Sequence, residues 1–474
     1  MECVINKFPT LLTTHNRDGG TKTEHKFACL LGTQLCGPLT AIMIRLLRCT
    51  VPSDNDRLED FRHILEKAND IYENLRKVGI VSIDTPTLRE QATDIDVLFI
   101  NRRCQKILET ARILIKTDYL SVKQINPVEV SVKLQLENKD GSKQTTPEPE
   151  LRFSDTEPLP CIFRRNSCKV SENIFEFVSL LESTIVEASQ LTSSPMHSAR
   201  LTHTVRNCVE MFADITLQSH RDRLIKLPVY PAILYTNCLY IVRNFTVFLL
   251  EYEQPLKRII GKELHNQLLS NIDLVPRIKR MGIEAMAVQL ESQEHVLDEI
   301  IAEARGFYEI SSNFQRCQKV LRQVLHLLNH LHSIWSGILP RKALYNAMAV
   351  LVSHVLNSII SAMVAKEDIA SSDSERAVDL FSPISAETSM IFKADTVSVS
   401  EIYFYCNPAY QRFEELVKIF AASLQDISDR WADGQGPLAL YFEPNEVQGL
   451  IRALFQNTDR RAAVLSTIRI KNPS

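Results

Sequence analysis

Apolar positions recur along most of this chain at alternating steps of three and four, the period of one face of an α-helix. Leu58, Phe61, Leu65, Ala68, Tyr72 and Leu75 make one such face, closed by Gly79. Ile100, Cys104, Ile107, Ala111 and Leu114 make another, with Pro86 and Asp94 between them, so a hairpin of two antiparallel helices is expected over 58–120. The period changes after that. Val128, Val130, Val132, Leu134 and Leu136 alternate with polar residues, which is strand periodicity, and the chain then runs into NKDGSKQTTPEPE. The simpler reading of 121–165 is an extended linker with one incidental alternation; the other is a docking strand.

Helical spacing returns over 166–370, where a central bundle is expected. Its faces are Ile174, Phe177, Leu181, Ile185 and Ala188, then Leu201, Val205, Val209 and Phe212, with Pro228 and Pro231 marking a break before 232–252. Pro276 opens a helix through Met286, Leu290 and Leu297 to Gly306. Val320, Val324, Leu327, Leu331 and Ile334 lead to Pro340, and a further helix carries Leu344, Leu351, Val355, Ile359 and Met363. Short connections between such helices make them antiparallel neighbours. The serine-rich, acidic stretch SSDSERAVDLFSPISAETS reads as a second linker, 371–406.

The last unit, 407–474, has the clearest pattern. Asn407 caps and Pro408 opens a helix, because proline at the first position gives up only an N–H without an intrahelical partner. Tyr410, Phe413, Val417, Phe420, Leu424, Ile427 and Trp431 then form one seam, until Gly434, Gly436 and Pro437 stop it. A second helix opens at Pro444 with Val447, Leu450, Ile451, Leu454 and Phe455 on one side. A short basic helix with Arg460, Arg461, Val464, Leu465 and Ile468 completes a three-helix terminus. Leu450, Ile451, Leu454 and Phe455 are the expected core. Trp431, Asp433, Arg452, Asp459, Arg460 and Arg461 are candidate partner contacts, or, for the charged ones, simply solubilising charge.

Composition narrows the class. With 474 residues, 45% hydrophobic content and a mean hydropathy of -0.08, the chain is long and apolar enough for a proper core. Only 13 residues are glycine, well below the usual share of about 7%, so few tight turns are available and long helices are favoured. A net charge of -3 supplies no basic field for phosphate backbones, which disfavours nucleic-acid binding. The eleven cysteines include no C-x-x-C pair and read as reduced cytosolic thiols. Residues 27–49, apolar but interrupted by Gln34, Pro38 and Arg45, are a buried or poorly specified helix rather than a membrane span or a signal peptide. They lie in an atypical amino-terminal leader, 1–57.

Candidate chemistry is sparse. His326 and His330 stand one helical turn apart, a spacing able to hold a metal, and His332 follows; but HLLNHLH lacks the glutamate of a zincin. Solvated histidines at the core edge are the simpler reading. No nucleophile elbow and no phosphate loop occurs, so neither catalytic residue nor cofactor nor metal is assigned. The basic runs Lys257-Arg258 and RIKR (277–280) are shorter than the four to eight charges that draw a protein to anionic lipid.

The strings DRWADGQGPLA and EVQGLIRALFQNTDRRAAVL are very similar to the carboxy-terminal end of the Zeste-white-ten family. Weaker similarity runs back through QKVLRQVLHLLNHLHSIWSGILP and NIDLVPRIKRMGIEAMAVQLE to about Leu58; Gln435, Leu440 and Tyr441 depart from the family pattern. The resemblance implies an all-α, elongated series of antiparallel helical bundles, like the rods of tethering complexes. It implies a non-enzymatic scaffold in two settings. One is with Rod and Zwilch at the outer kinetochore, recruiting dynein–dynactin for the spindle checkpoint. The other is in an endoplasmic-reticulum tether that engages SNAREs for Golgi-derived vesicles, with membrane association only through partners. A subunit of another exocyst-like tether is the alternative, and a metal-dependent hydrolase a remote one. By the same resemblance, residues 1–57 are unlike the family and its long amino-terminal arm is missing. Phe61, Leu65 and Tyr72 are then expected to be partly uncovered and to drive self-association.

Overall fold

The fold is seen in a computed structural model, which describes residues 24–53, 57–77, 80–81, 93–125, 168–192, 194–261, 273–393 and 401–468. The described residues form eighteen α-helices and one two-stranded sheet. In chain order these are α1 (Glu24–Thr50), α2 (Leu58–Lys77), α3 (Thr93–Lys116), β1 (Val122–Ile125), β2 (Cys168–Ser171), α4 (Glu172–Gln190), α5 (Pro195–Ser219), α6 (Arg221–Lys226), α7 (Val229–Glu251) and α8 (Glu253–Ile260). Then follow α9 (Leu274–Ala302), α10 (Phe314–Ser336), α11 (Arg341–Val364), α12 (Ser371–Ile391), α13 (Ile402–Tyr405), α14 (Ala409–Ala421), α15 (Leu424–Trp431), α16 (Pro437–Tyr441), α17 (Pro444–Leu454) and α18 (Asp459–Thr467). The protein is an all-α assembly of helical bundles. The chain divides into two compact units, Met1–Lys116 with Glu176–Asp214 and Val247–Ile272, and Thr117–Phe175 with Ile215–Thr246 and Asp273–Ser474.

In the first unit, Leu47 and Val51 at the end of α1 pack with Phe61, Tyr72 and Leu75 of α2 and with Val81. Arg102 of α3 donates to three carbonyls at the end of α1, those of Arg48 at 2.8 Å, Cys49 at 3.5 Å and Val51. The last carbonyls of a helix generally lack an N–H partner further along it, and a cation there also meets the negative end of the helix dipole. The leader therefore contains a helix that packs on both α2 and α3, and the expected two-helix hairpin is three helices. The α2 seam is correspondingly covered. Phe61 and Tyr72 are buried, against expectation, while Leu65 is half-buried and so partly uncovered as expected. A second layer joins Phe177, Leu181 and Ile185 of α4 to Leu201, Val205 and Phe212 of α5, all buried, with the Phe177 and Phe212 rings 6.0 Å apart. Arg103 pairs with Glu187 at 2.9 Å.

The second unit begins where a linker was expected. The start of the expected linker 121–165 is β1, which pairs antiparallel with β2 just past that linker, with Val122 opposite Ser171 and Ile125 opposite Cys168; the alternating Val128–Leu136 run lies outside the described residues. Side chains hold the pair to the helices. Asn237 accepts from the Ser171 N–H at 3.0 Å, and the Tyr230 hydroxyl accepts from the Tyr119 N–H at 3.2 Å while bonding His220 Nδ1 at 2.8 Å. Among the described residues α7 and α11 are long and apolar enough to cross a bilayer, yet most of each is buried against protein. In α11, Leu351, Val352, Val355, Leu356 and Ile359 are wholly buried.

The second expected linker is corrected too. Residues 371–391 are α12, which buries Ala377, Leu380, Phe381, Ile384, Thr388 and Ile391 against α14 and α10. Its serines and acids disguised a helical apolar spacing, and Pro383 is accommodated inside the helix. With α12 in place the terminal helices do not stand apart as a separate 407–474 unit. The Ile369 N–H donates to Ala453 O at 2.9 Å and Ser374 Oγ to Phe420 O at 2.7 Å, within one unit that also contains α9 to α11. The 166–370 bundle is likewise not one body, since Glu176–Asp214 and Val247–Ile272 belong to the first unit.

Candidate functional site

The carboxy-terminal helices carry the charged candidates, and their local geometry follows from the sequence. The expected single helix from Tyr410 to Trp431 is two helices. Ala422 is extended (φ -89°, ψ 149°) and Ser423 starts α15 with a reciprocal capping box with Asp426. That exchange satisfies two backbone donors that an uncapped helix start leaves open. The seam continues across the break, with Tyr410, Phe413, Phe420, Ile427 and Trp431 buried.

DRWADGQGPLA is the turn between α15 and α16. Ala432 (φ 43°), Asp433 (φ 52°) and Gly434 (φ 81°) are all left-handed, a conformation in which only glycine is free of Cβ strain. The Gly436 N–H donates to Trp431 O at 3.0 Å, and Pro437 opens α16. Trp431 is buried and is a core residue rather than a partner contact. Asp433 is exposed.

EVQGLIRALFQNTDRRAAVL forms α17 and α18. Glu443 and Glu446 make a capping box around Pro444, and Arg412 binds Glu446 at 2.6 Å. Val447, Leu450, Ile451 and Ala453 are buried, whereas Leu454 and Phe455 are only half-buried. The expected core is thus corrected for two of its four members. The inward turn places Ala453 in the core, and Phe455 lies past the helix end in extended backbone. Leu450→Ala with Ile451→Ala is expected to cost about 4 kcal/mol or more, and Leu454→Ala with Phe455→Ala clearly less, because half-exposed side chains lose less on truncation. Denaturant unfolding of the two double variants checks the order.

Thr458 caps α18 by accepting from the Arg461 N–H at 3.2 Å. The Arg461 guanidinium turns back and donates to Phe455 O at 2.6 Å and Arg452 O at 3.3 Å, closing the end of α17. Arg461 is therefore a half-buried structural cap. Arg452, Asp459 and Arg460 are exposed, so with Asp433 they are the candidates left to meet a partner. Sequence reasoning missed a buried carboxylate on α14. Glu415 accepts from Arg430 Nη2 at 2.5 Å and from Lys418 Nζ at 3.0 Å. Burial raises its carboxyl, but the hydrogen bonds from Arg430 and Lys418 outweigh that and hold it below the ordinary range. The available signal was an acid inside the apolar run FEELVKIF.

The histidines lie on α10. The His326 and His330 rings are parallel within 12° at 6.5 Å, and both are exposed. His332 is half-buried, which lowers its pKa. Among the described residues no three metal-ligating side chains converge. Both exposed rings line a groove of about 520 Å³ between α9 and α10.

Three family models match successive parts of the chain. "Centromere/kinetochore protein zw10, middle domain" covers residues 1–115, "Centromere/kinetochore protein zw10, C-terminal" covers 163–299, and "ZW10 C-terminal helical domain" covers 319–468. The first match takes in residues 1–57, which sequence reading had set apart as unlike the family. Proteins named centromere/kinetochore protein zw10 homolog are similar along most of the chain: that of Rattus norvegicus is 30% identical over 467 residues (95% of this chain, 59% of the relative). That of Mus musculus is 31% identical over 458 residues (93% and 58%), and that of Caenorhabditis elegans 22% over 510 residues (99% and 63%). The chain thus spans about three fifths of the length of these relatives. With three matched regions in order and mammalian relatives aligned over more than nine tenths of it, the chain belongs to the zw10 family of centromere/kinetochore proteins.

Proposed function

We propose that this protein is a non-enzymatic scaffold that acts at the kinetochore, joining Rod and Zwilch and carrying contacts to dynein–dynactin for the spindle checkpoint. In interphase the same scaffold serves an endoplasmic-reticulum tether that captures Golgi-derived vesicles through SNAREs, as a cytoplasmic protein held at the membrane by its partners. The observation that carries the reading is the ordered match of three zw10 regions from residue 1 to 468, in a chain whose relatives are named for the centromere and kinetochore. An all-α body that buries its apolar faces and presents charge at Asp433, Arg452, Asp459 and Arg460 supports binding and positioning rather than turnover.

Affinity purification from mitotic and interphase cells, followed by mass spectrometry, tests it. Rod and Zwilch with dynactin subunits are expected in mitosis, and tether subunits with SNAREs in interphase. Recovery of a different exocyst-like set, with Golgi staining and no kinetochore staining, would favour the second tether reading. Light scattering on the purified chain tests self-association separately, with a mass that rises with concentration expected if copies pair. The metal-hydrolase alternative fails if elemental analysis finds no stoichiometric zinc, and if His326→Gln with His330→Gln leaves folding and localisation unchanged.

A further inference from the structure

We propose that the groove between α9 and α10 is a docking site for an acidic amphipathic helix of a partner protein. The first observation is the charge of α10. In the 23 residues Phe314–Ser336 there are Arg316, Lys319, Arg322 and three histidines, and no aspartate or glutamate. Lys319, Arg322, His326 and His330 follow one another at steps of three and four, so they share a face, and that face lines the groove. All four are exposed.

The second observation is the groove itself. Val296 and Ile300 of α9 and Leu327 of α10 provide its apolar floor, and Gln315 to His330 run along it for about 22 Å at 1.5 Å per residue. An elongated trough between two neighbouring helices is the seat a third helix takes in a bundle, with its apolar stripe inward and its flanks against the walls. The only carboxylate lining the groove among the described residues is Glu303, at the end where its carbonyl accepts from Arg316 Nε at 2.7 Å. Glu294 and Asp298 of α9 are engaged by His354 of α11, at 4.0 and 2.7 Å. The charge an incoming helix meets is therefore positive along α10, which selects glutamate or aspartate on its flanks. The site is independent of the terminal candidates and does not rest on which complex the protein joins.

The probe is a synthetic peptide of about four helical turns, with leucine along one face and glutamate on the flanks, compared with the same peptide carrying lysine for glutamate. Fluorescence anisotropy with the full chain is expected to show the acidic peptide binding at least about tenfold more tightly than the basic one. Lys319→Glu with Arg322→Glu is expected to abolish that preference with an unchanged melting temperature, since both side chains are exposed. Reversing the same amount of charge elsewhere, with Lys226→Glu and Arg280→Glu, is expected to change little. Equal binding of the two peptides, an acidic peptide held equally well by the groove variant, or equal loss in both variants would each overturn the proposal. So would binding of phosphatidylserine vesicles through Lys319 and Arg322 with no response to the peptide.

Discussion

Gly436→Ala is expected to be the most damaging methyl addition in the carboxy-terminal helices. A Cβ at this position would lie 2.0 Å from Arg430 O and 2.8 Å from Arg430 C. Those atoms are backbone at the end of α15, so no side-chain rotation relieves the overlap. The glycine is needed here for close approach and not for its dihedrals, which are ordinary (φ -82°). Alanine must push α16 away from α15 and uncover Leu438 and Trp431, both now buried. Overpacking against rigid atoms costs about 3 kcal/mol or more. The control is Gly434→Ala, where φ is +81° and nothing lies within 4 Å, so only left-handed strain of about 1 kcal/mol is expected. Thermal unfolding with limited proteolysis reads both; equal stability of the two variants would show that the approach of Gly436 to Arg430 is not tight.

The second large effect is expected at Glu415. Its side chain is only 7% exposed, while Arg430 and Lys418, which hold it, are 32% and 49% exposed. Arg430→Ala leaves a nearly buried carboxylate with one partner at its edge. Removing one partner of a buried pair typically costs 3–5 kcal/mol, and the exposure of Arg430 places this case at about 3 kcal/mol. The effect depends on pH. Because the carboxyl is held below its ordinary range, its stabilisation is complete above the unfolded value of about 4.3 and is lost as the pH falls through the folded value. The stability gap between the wild type and Arg430→Ala should therefore be widest near neutral pH and narrow as the pH drops below about 4. Urea unfolding across that range measures it, and a gap that stays constant into acid would mean that the pair contributes through packing alone.

The positions that sequence reading found were those where period and burial agree. Tyr410, Phe413, Phe420, Ile427 and Trp431 sit at helical spacing and are all buried, because a helix that packs on one side can hide only such a stripe. It failed where neighbours decide. Arg461 looked available to a partner, yet it closes the end of α17, a fate that its own helical spacing does not set; Trp431, also a candidate contact, follows its seam into the core. Glu415 was missed because its partner Arg430 lies on another helix, fifteen residues away. Residues 371–391 read as a linker because serine and acid outnumber apolar residues there, and only packing on α14 and α10 makes the minority face decisive.

By itself, then, the sequence determined the helical class, most of the buried stripes and the family, since period, scarce glycine and the turn strings DRWADGQGPLA and EVQGLIRALFQNTDRRAAVL are all local properties. The tertiary structure alone decided that the leader helix covers α2, that α12 joins α14 in one unit, which charged side chains of the terminus remain exposed, and that the basic face of α10 lines a groove with α9. The physical reason is that burial and ion pairing depend on which faces meet in space, and residues far apart in the chain settle that by shape and charge together.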